Sequence, residues 1–242
     1  MNRLFYDFHV HSCLSPCGDE DMTPYNIAGM GKLLGLEAMA LTDHNSCRNC
    51  PPFFAACRAY GILPIAGMEL TTAEDIHVVC LFEHLSDAMR FDSAVYSRLM
   101  PIQNKPEIFG RQLIMNEKDE VVEEESRLLI SATDLSIEEV IPFVREAGGI
   151  CYPAHIDRPS NGVTAILGEL PEYLGFINCE VHDEENISPY RARYPAVSKC
   201  RILCSSDAHR LTELKEHAHF VEVEASQSES ALRANLFRIL SK

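Results

Sequence analysis

Five times along this chain an apolar run ends in histidine, aspartate or glutamate. Phe8 to His11, Thr42-Asp43-His44, Gly67-Met68-Glu69, Pro153-Ala154-His155 and Ser206-Asp207-Ala208-His209 each close a stretch of strand-like composition. Between them lie helix signals. Thr23-Pro24 offers an N-cap with proline at the first helical position, and Gly35 closes that helix. Ser136 and Glu139 form a capping box whose helix runs to Gly148-Gly149. Ser228 caps a last helix that carries Leu232, Leu236, Ile239 and Leu240 on one face. Strands alternating with helices argue for parallel pairing through crossovers. A barrel gathers successive strand ends around one mouth, and no other α/β architecture does this so economically. The expected fold is therefore a distorted α/β barrel of the TIM type. The chain contains no Pro/Ser-rich linker, so residues 1–242 are expected to form one domain. Around 101–132, apolar runs at 112–115 and 121–124 flank a polar turn and predict a hairpin or arm outside the repeat.

The pair His9-x-His11 is weak alone, because ten histidines in 242 residues supply such a spacing about 0.4 times by composition. The pattern gains weight from position: His9, His11, His44, Glu69, His77, His155, Asp207 and His209 fall almost without exception at or just past predicted strand ends. Scattered surface histidines have no reason to do so.

The surroundings set limits. With 21 basic against 36 acidic residues the net charge is −15, which argues against a long nucleic-acid groove or an anionic membrane surface. A small phosphorylated substrate drawn in by cations is the expected partner. No signal-like segment opens the chain and no run has the length of a membrane span, so a cytoplasmic location is expected. Ten cysteines, several inside apolar runs, are then core thiols in a reducing compartment. Cys47-x-x-Cys50 has the spacing of half a zinc site but finds no second half, which favours a role other than ligand.

In order, the motifs His9-Val10-His11-Ser12, Thr42-Asp43-His44-Asn45, Gly67-Met68-Glu69 with Asp75-Ile76-His77, Pro153-Ala154-His155 and Ser206-Asp207-Ala208-His209 resemble those of the polymerase and histidinol phosphatase (PHP) family. The resemblance implies a seven-stranded barrel, (β/α)7, with two or three zinc, iron or manganese ions at the C-terminal mouth. His9, His11, Glu69 and Asp207 would hold the first ion. Glu69 would bridge to a second, held by His77 and His155, and His44 and His209 would serve a third. Where other members have a histidine or aspartate after the opening His-x-His, this chain offers Cys17, with Asp19 and Glu20 close behind. A Cys17 thiolate would favour zinc or iron, and Asp19 would suit manganese.

Asp7 and Asp43 are candidates to orient ligand imidazoles. Glu180 stands at another strand end, as an orienting group or a plain mouth charge, outside the ligand set. Arg158 and Arg210, each next to a motif, are the expected contacts to substrate phosphate, with Arg48 a third arginine so placed. His84, His182, His217 and His219 match no motif and are expected to be surface or structural. Metal ions bridged by a carboxylate lower the pKa of water and offset charge on phosphoryl oxygens. The expected activity is hydrolysis of a small phosphomonoester, as in histidinol phosphatases, by a metal-activated hydroxide near Glu69, Asp207 and His209. A nuclease or cyclic-phosphate diesterase is the alternative enzyme, and a non-catalytic metal-binding regulatory domain the alternative of another class.

Overall fold

In the computed structural model, which describes residues 2–216 and 218–242, the chain starts with strand β1 (Asn2–Asp7). Helix α1 (Pro24–Leu33) carries it to β2 (Ala38–Leu41), and α2 (Cys50–Tyr60) carries it to β3 (Leu63–Thr71). These three strands are parallel neighbours. The helix ends follow the local chemistry: the Thr23 side chain accepts from the Asn26 amide, and Gly61 closes α2 in the left-handed conformation.

The regular alternation then breaks. Strand β4 (His77–Phe82) runs antiparallel to β3, with Thr71 opposite His77. The connection through 72–76 is too short for a crossover, which takes a dozen residues or more, so the chain turns straight back. His77 thus lies at the start of its strand and still at the same mouth as Glu69. Helix α3 (Leu85–Arg98) follows, then α4 (Pro106–Phe109) and an antiparallel pair, β5 (Leu113–Met115) with β6 (Val121–Glu124). This hairpin leans on the loop after β1, where the Leu113 amide donates to the Cys13 carbonyl. Arg48 binds Glu123 and Glu125 from the other side, at 2.6 and 3.0 Å, so it ties down the arm.

Helix α5 (Ile137–Glu146) begins with the full Ser136/Glu139 capping box and leads to β7 (Gly149–Pro153), antiparallel to β4. After α6 (Val163–Leu167), β8 (Asn178–Glu180) pairs in parallel with β9 (Arg201–Leu203), and α7 (Ile187–Arg193) and α8 (Pro195–Lys199) lie between them. Strand β10 (Phe220–Val223) pairs antiparallel with β1, and α9 (Glu229–Leu240) ends the chain. The sheet order is β10-β1-β2-β3-β4-β7, with β8 and β9 as a separate pair. The fold is thus the expected α/β, TIM-like class, realised as a curled six-stranded half-barrel with mixed strand directions.

Alternation along the strands splits the core. Met39 and Leu41 join the cluster that includes Ile27, Phe53 and Phe54 of α1 and α2. Ala38 and Ala40 turn to the other face with Phe8, Ile65, Val79 and Tyr152, which Leu236 and Leu240 of α9 cover. The opposite end of the sheet is left for polar chemistry. Cys47 and Cys50 are buried, and their thiols donate to the Gly67 carbonyl. Among the described residues every cysteine is free. No helix among the described residues is long and apolar enough to cross a membrane. His217 lies outside the described residues.

Candidate metal centre

The backbone delivers side chains to the mouth from several strand ends. Past β1, the chain stays extended and pairs at Val10 with Ala208, which sets His9 and His11 beside Asp207 and His209. A second bridge joins His44 to Glu69. His155 and Asp207 both adopt positive φ, 25° and 51°. Non-glycine residues hold this conformation at a cost of order 1–3 kcal/mol, a kind of strain that clusters at functional sites.

Three groups of potential ligand atoms result, each with its atoms within 4.8 Å of one another: His9, His11, Glu69 and Asp207; His44, Glu69 and His77; and His11, His44 and His209. His155 approaches from β7, with Nε2 3.0 Å from Glu69 Oε1, which also lies 2.9 Å from His77 Nδ1. Glu69, His11 and His44 each belong to two of the three groups. Cys17 and Asp19 belong to none of the three. Cys17 is exposed and lines the cavity outside Asp207 and His209, while the Asp19 amide donates to the His209 carbonyl.

The atoms face one another as ligands of a shared cation would. His9 Nε2 lies 3.2 Å from His11 Nε2, 3.2 Å from Glu69 Oε1 and 3.3 Å from Asp207 Oδ1, all buried. Seven buried side-chain polar atoms lack a hydrogen-bond partner among the described residues, and four of them are here: His44 Nδ1, His155 Nδ1, Glu180 Oε2 and Asp207 Oδ1. Each such atom costs about 1–3 kcal/mol if nothing satisfies it. The donor set, imidazole and carboxylate, is that of zinc, iron or manganese sites. The residues present fit a metal ion.

The electrostatics agree. Burial acts to lower the His11 pKa, but Asp207 and Glu69 outweigh it and hold the group up at about 9. Burial and the neighbouring His11 charge push His44 down to about 3 and His209 to about 4. Glu69 and Asp207 stay well below the carboxylate range despite their burial, Glu69 because of His77, His9 and His44 and Asp207 because of His9 and His11. The cluster pairs two ionised carboxylates with imidazoles, and without a metal ion protons on His9 and His11 offset the carboxylate charge.

The imidazoles are steered by their outer nitrogens. Ser15 Oγ sits 2.9 Å from His11 Nδ1 and donates to Asp43 Oδ1 at 2.7 Å, so Asp43 acts on His11 through Ser15. His209 Nδ1 donates to the Asp207 carbonyl at 2.9 Å. Among the described residues no imidazole hydrogen-bonds Asp7. Its Oδ1 accepts from the main-chain amides of His9 and Ser206, and burial raises its pKa to about 6. The group on His9 is Glu180, with Oε1 2.8 Å from Nδ1. Its place at the end of a strand was the only signal in the sequence, since the pairing spans 171 positions.

Beside the cluster opens a cavity of about 680 Å³ lined by Cys17, Arg158, His182, Arg210 and Lys215. Arg158 Nη1 is 2.7 Å from Asp207 Oδ2, and its Nη2 lies 3.4 Å from the His182 ring nitrogens. Arg210 is exposed at the rim.

Comparison with known proteins bears on this arrangement. An alignment of 185 positions, covering 71% of this chain, is 28% identical to the PolC-type DNA polymerase III of Thermotoga maritima, and it spans only 12% of that protein. Among solved structures, a lesion-specific endonuclease of Pyrococcus furiosus superposes with a TM-score of 0.66 at 19% identity, over 97% of this chain and 56% of that one. A protein of Bifidobacterium adolescentis described as a metal-dependent phosphoesterase gives 0.60 at 19% identity, over 96% of both chains. Endonuclease Q bound to a 27-mer duplex with an abasic lesion at its active site gives 0.58 at 18% identity, over 98% of this chain and 57% of that one. This last structure overturns the expectation that net charge makes long nucleic acid an unlikely partner, since a protein containing this fold is bound to a duplex. Net charge is a sum over the whole surface, whereas Arg158, Arg210 and Lys215 gather locally at the mouth. The PHP domain model matches residues 7–174, and the chain belongs to the PHP domain family.

Proposed function

We propose that this chain hydrolyses phosphate esters with two or three transition-metal ions held by His9, His11, His44, Glu69, His77, His155, Asp207 and His209. The observation that carries the reading is the buried convergence of imidazole and carboxylate atoms directly beside a cavity with basic side chains. Bound ions supply a water of lowered pKa and a counter-charge for the phosphoryl oxygens. The protein contributes the rest. Glu69 is shared between ligand groups and keeps them adjacent, while Asp207 spans the cluster and Arg158. Arg158 and Arg210 orient the substrate's phosphate toward the cluster, and the strained backbone at Asp207 and His155 aims their side chains inward.

A phosphomonoester is the leading substrate class. Arg158, Arg210 and Lys215 gather at one cavity beside the cluster, a lining suited to a single phosphate group. A second reading, cleavage of a nucleic-acid strand, is supported by the likeness to endonuclease Q and to a DNA polymerase.

The test is a panel. Protein loaded with Zn²⁺, Mn²⁺ or Fe²⁺ is offered phosphomonoesters, cyclic phosphates, and single- and double-stranded oligonucleotides, the latter with and without an abasic site. Release of inorganic phosphate from monoesters alone supports the first reading, and strand scission supports the second. Full metal loading without turnover of any substrate would leave the chain a metal-binding regulatory domain.

A further inference from the structure

We propose that Glu180 is a positioning residue of the metal centre, a single carboxylate that fixes ligands on two different strand ends at once. It stands at the last position of β8 and is buried, with 1% of its surface exposed. Its Oε1 lies 2.8 Å from His9 Nδ1 and accepts from the His155 amide at 3.1 Å. Its own carbonyl accepts from the Ile156 amide at 2.8 Å.

Each contact has a consequence for metal ligation. An imidazole that donates from Nδ1 to a carboxylate keeps its Nε2 lone pair free, and Nε2 is the atom of His9 that faces Glu69 and Asp207. The amide contact holds the backbone of His155 at its positive φ, the conformation that brings Nε2 to Glu69. His9 follows β1 and His155 follows β7, and both bring Nε2 to Glu69 Oε1, at 3.2 and 3.0 Å. Glu180 therefore links them without belonging to any of the three ligand groups. Its Oε2 is buried and has no partner among the described residues. A buried carboxylate satisfied on one oxygen is costly, and both contacts of that oxygen go to residues of the cluster.

The inference rests on the proposed metal centre, and the test separates the two. In Glu180→Asp the side chain is one methylene shorter and cannot reach both partners, while Glu180→Gln keeps an acceptor and the volume but loses the charge. Zn²⁺ and Mn²⁺ affinities are measured by chelator competition, bound metal by elemental analysis, and thermal unfolding on metal-free protein. Glu180→Asp is expected to lose roughly 10–100-fold in affinity, and Glu180→Gln less, with metal-free unfolding temperatures close to wild type. At saturating metal, kcat of Glu180→Asp should recover toward wild type with KM unchanged. Wild-type affinity in both variants, or a loss matched by an equal drop in metal-free stability, would overturn the positioning role alone. A wild-type chain that binds neither ion would overturn the metal centre, and this inference with it.

Discussion

Asp207 is shared between two kinds of partner: its Oδ2 lies 2.7 Å from Arg158 Nη1, while its Oδ1 faces His9 and His11 at 3.3 and 3.2 Å. The guanidinium thus holds one oxygen of this carboxylate and leaves the other facing the cluster. Two arginines that look equivalent in the sequence should then differ in kinetics. Arg210→Ala, at the exposed rim, is expected to raise KM several-fold with kcat nearly unchanged. Arg158→Ala should raise KM and also lower kcat by about tenfold or more, since Asp207 loses its restraint. Steady-state kinetics on the best substrate of the panel decide this. Equal effects from both variants would remove the Arg158 to Asp207 link from the explanation.

His11 is steered through an intermediate. Its Nδ1 contacts Ser15 Oγ, which donates to Asp43. Ser15→Ala removes that partner without adding bulk and should weaken metal binding by about 10–100-fold. Chelator competition measures the change. Unaltered affinity would mean that packing alone orients the His11 ring.

The two thiols of Cys47 and Cys50 point into the protein, toward the carbonyls of Gly67 and Leu41. The double variant to serine should bind the same number of metal ions per chain as wild type. Elemental analysis after dialysis gives the number directly, and the loss of one ion would make the pair a ligand set.

Gly67 is closely packed two residues before Glu69. A Cβ there would come within 2.8 Å of the Cys80 carbonyl, Leu81 Cδ2 and Thr42 Cγ2. Gly67→Ala should cost about 1–3 kcal/mol through overpacking. For a chain of this size that lowers Tm by roughly 2–4 °C per kcal/mol. Thermal unfolding checks it, and an unchanged Tm would show that β2, β3 and β4 can separate without strain.

Much of the centre was legible because its chemistry sits where strands end. His9, His44, Glu69, His155 and Asp207 each close an apolar run, and period-two alternation places the side chains without knowledge of the fold. Less legible was anything decided across the chain. The direction of β4 depends on the short connection 72–76, so an expectation of regular parallel crossovers missed the hairpin that returns His77 to the mouth. Asp7 shares a strand face with the histidines, yet the amides of His9 and Ser206 claim it first. Glu180 meets His9 across 171 positions, and no local pattern marks such a pair. Net charge misled for a related reason, since a total cannot show that Arg158, Arg210 and Lys215 collect around one cavity.

The most direct measurement compares phosphate-ester turnover by the wild-type chain and Asp207→Asn, each stripped with a chelator and then reloaded with Zn²⁺ or Mn²⁺. Wild-type turnover should vanish on stripping and return on reloading, and Asp207→Asn should lose about 100-fold or more in kcat under the same reloading. Turnover that survives stripping, or an Asp207→Asn variant as fast as wild type, would contradict a metal centre built on this carboxylate.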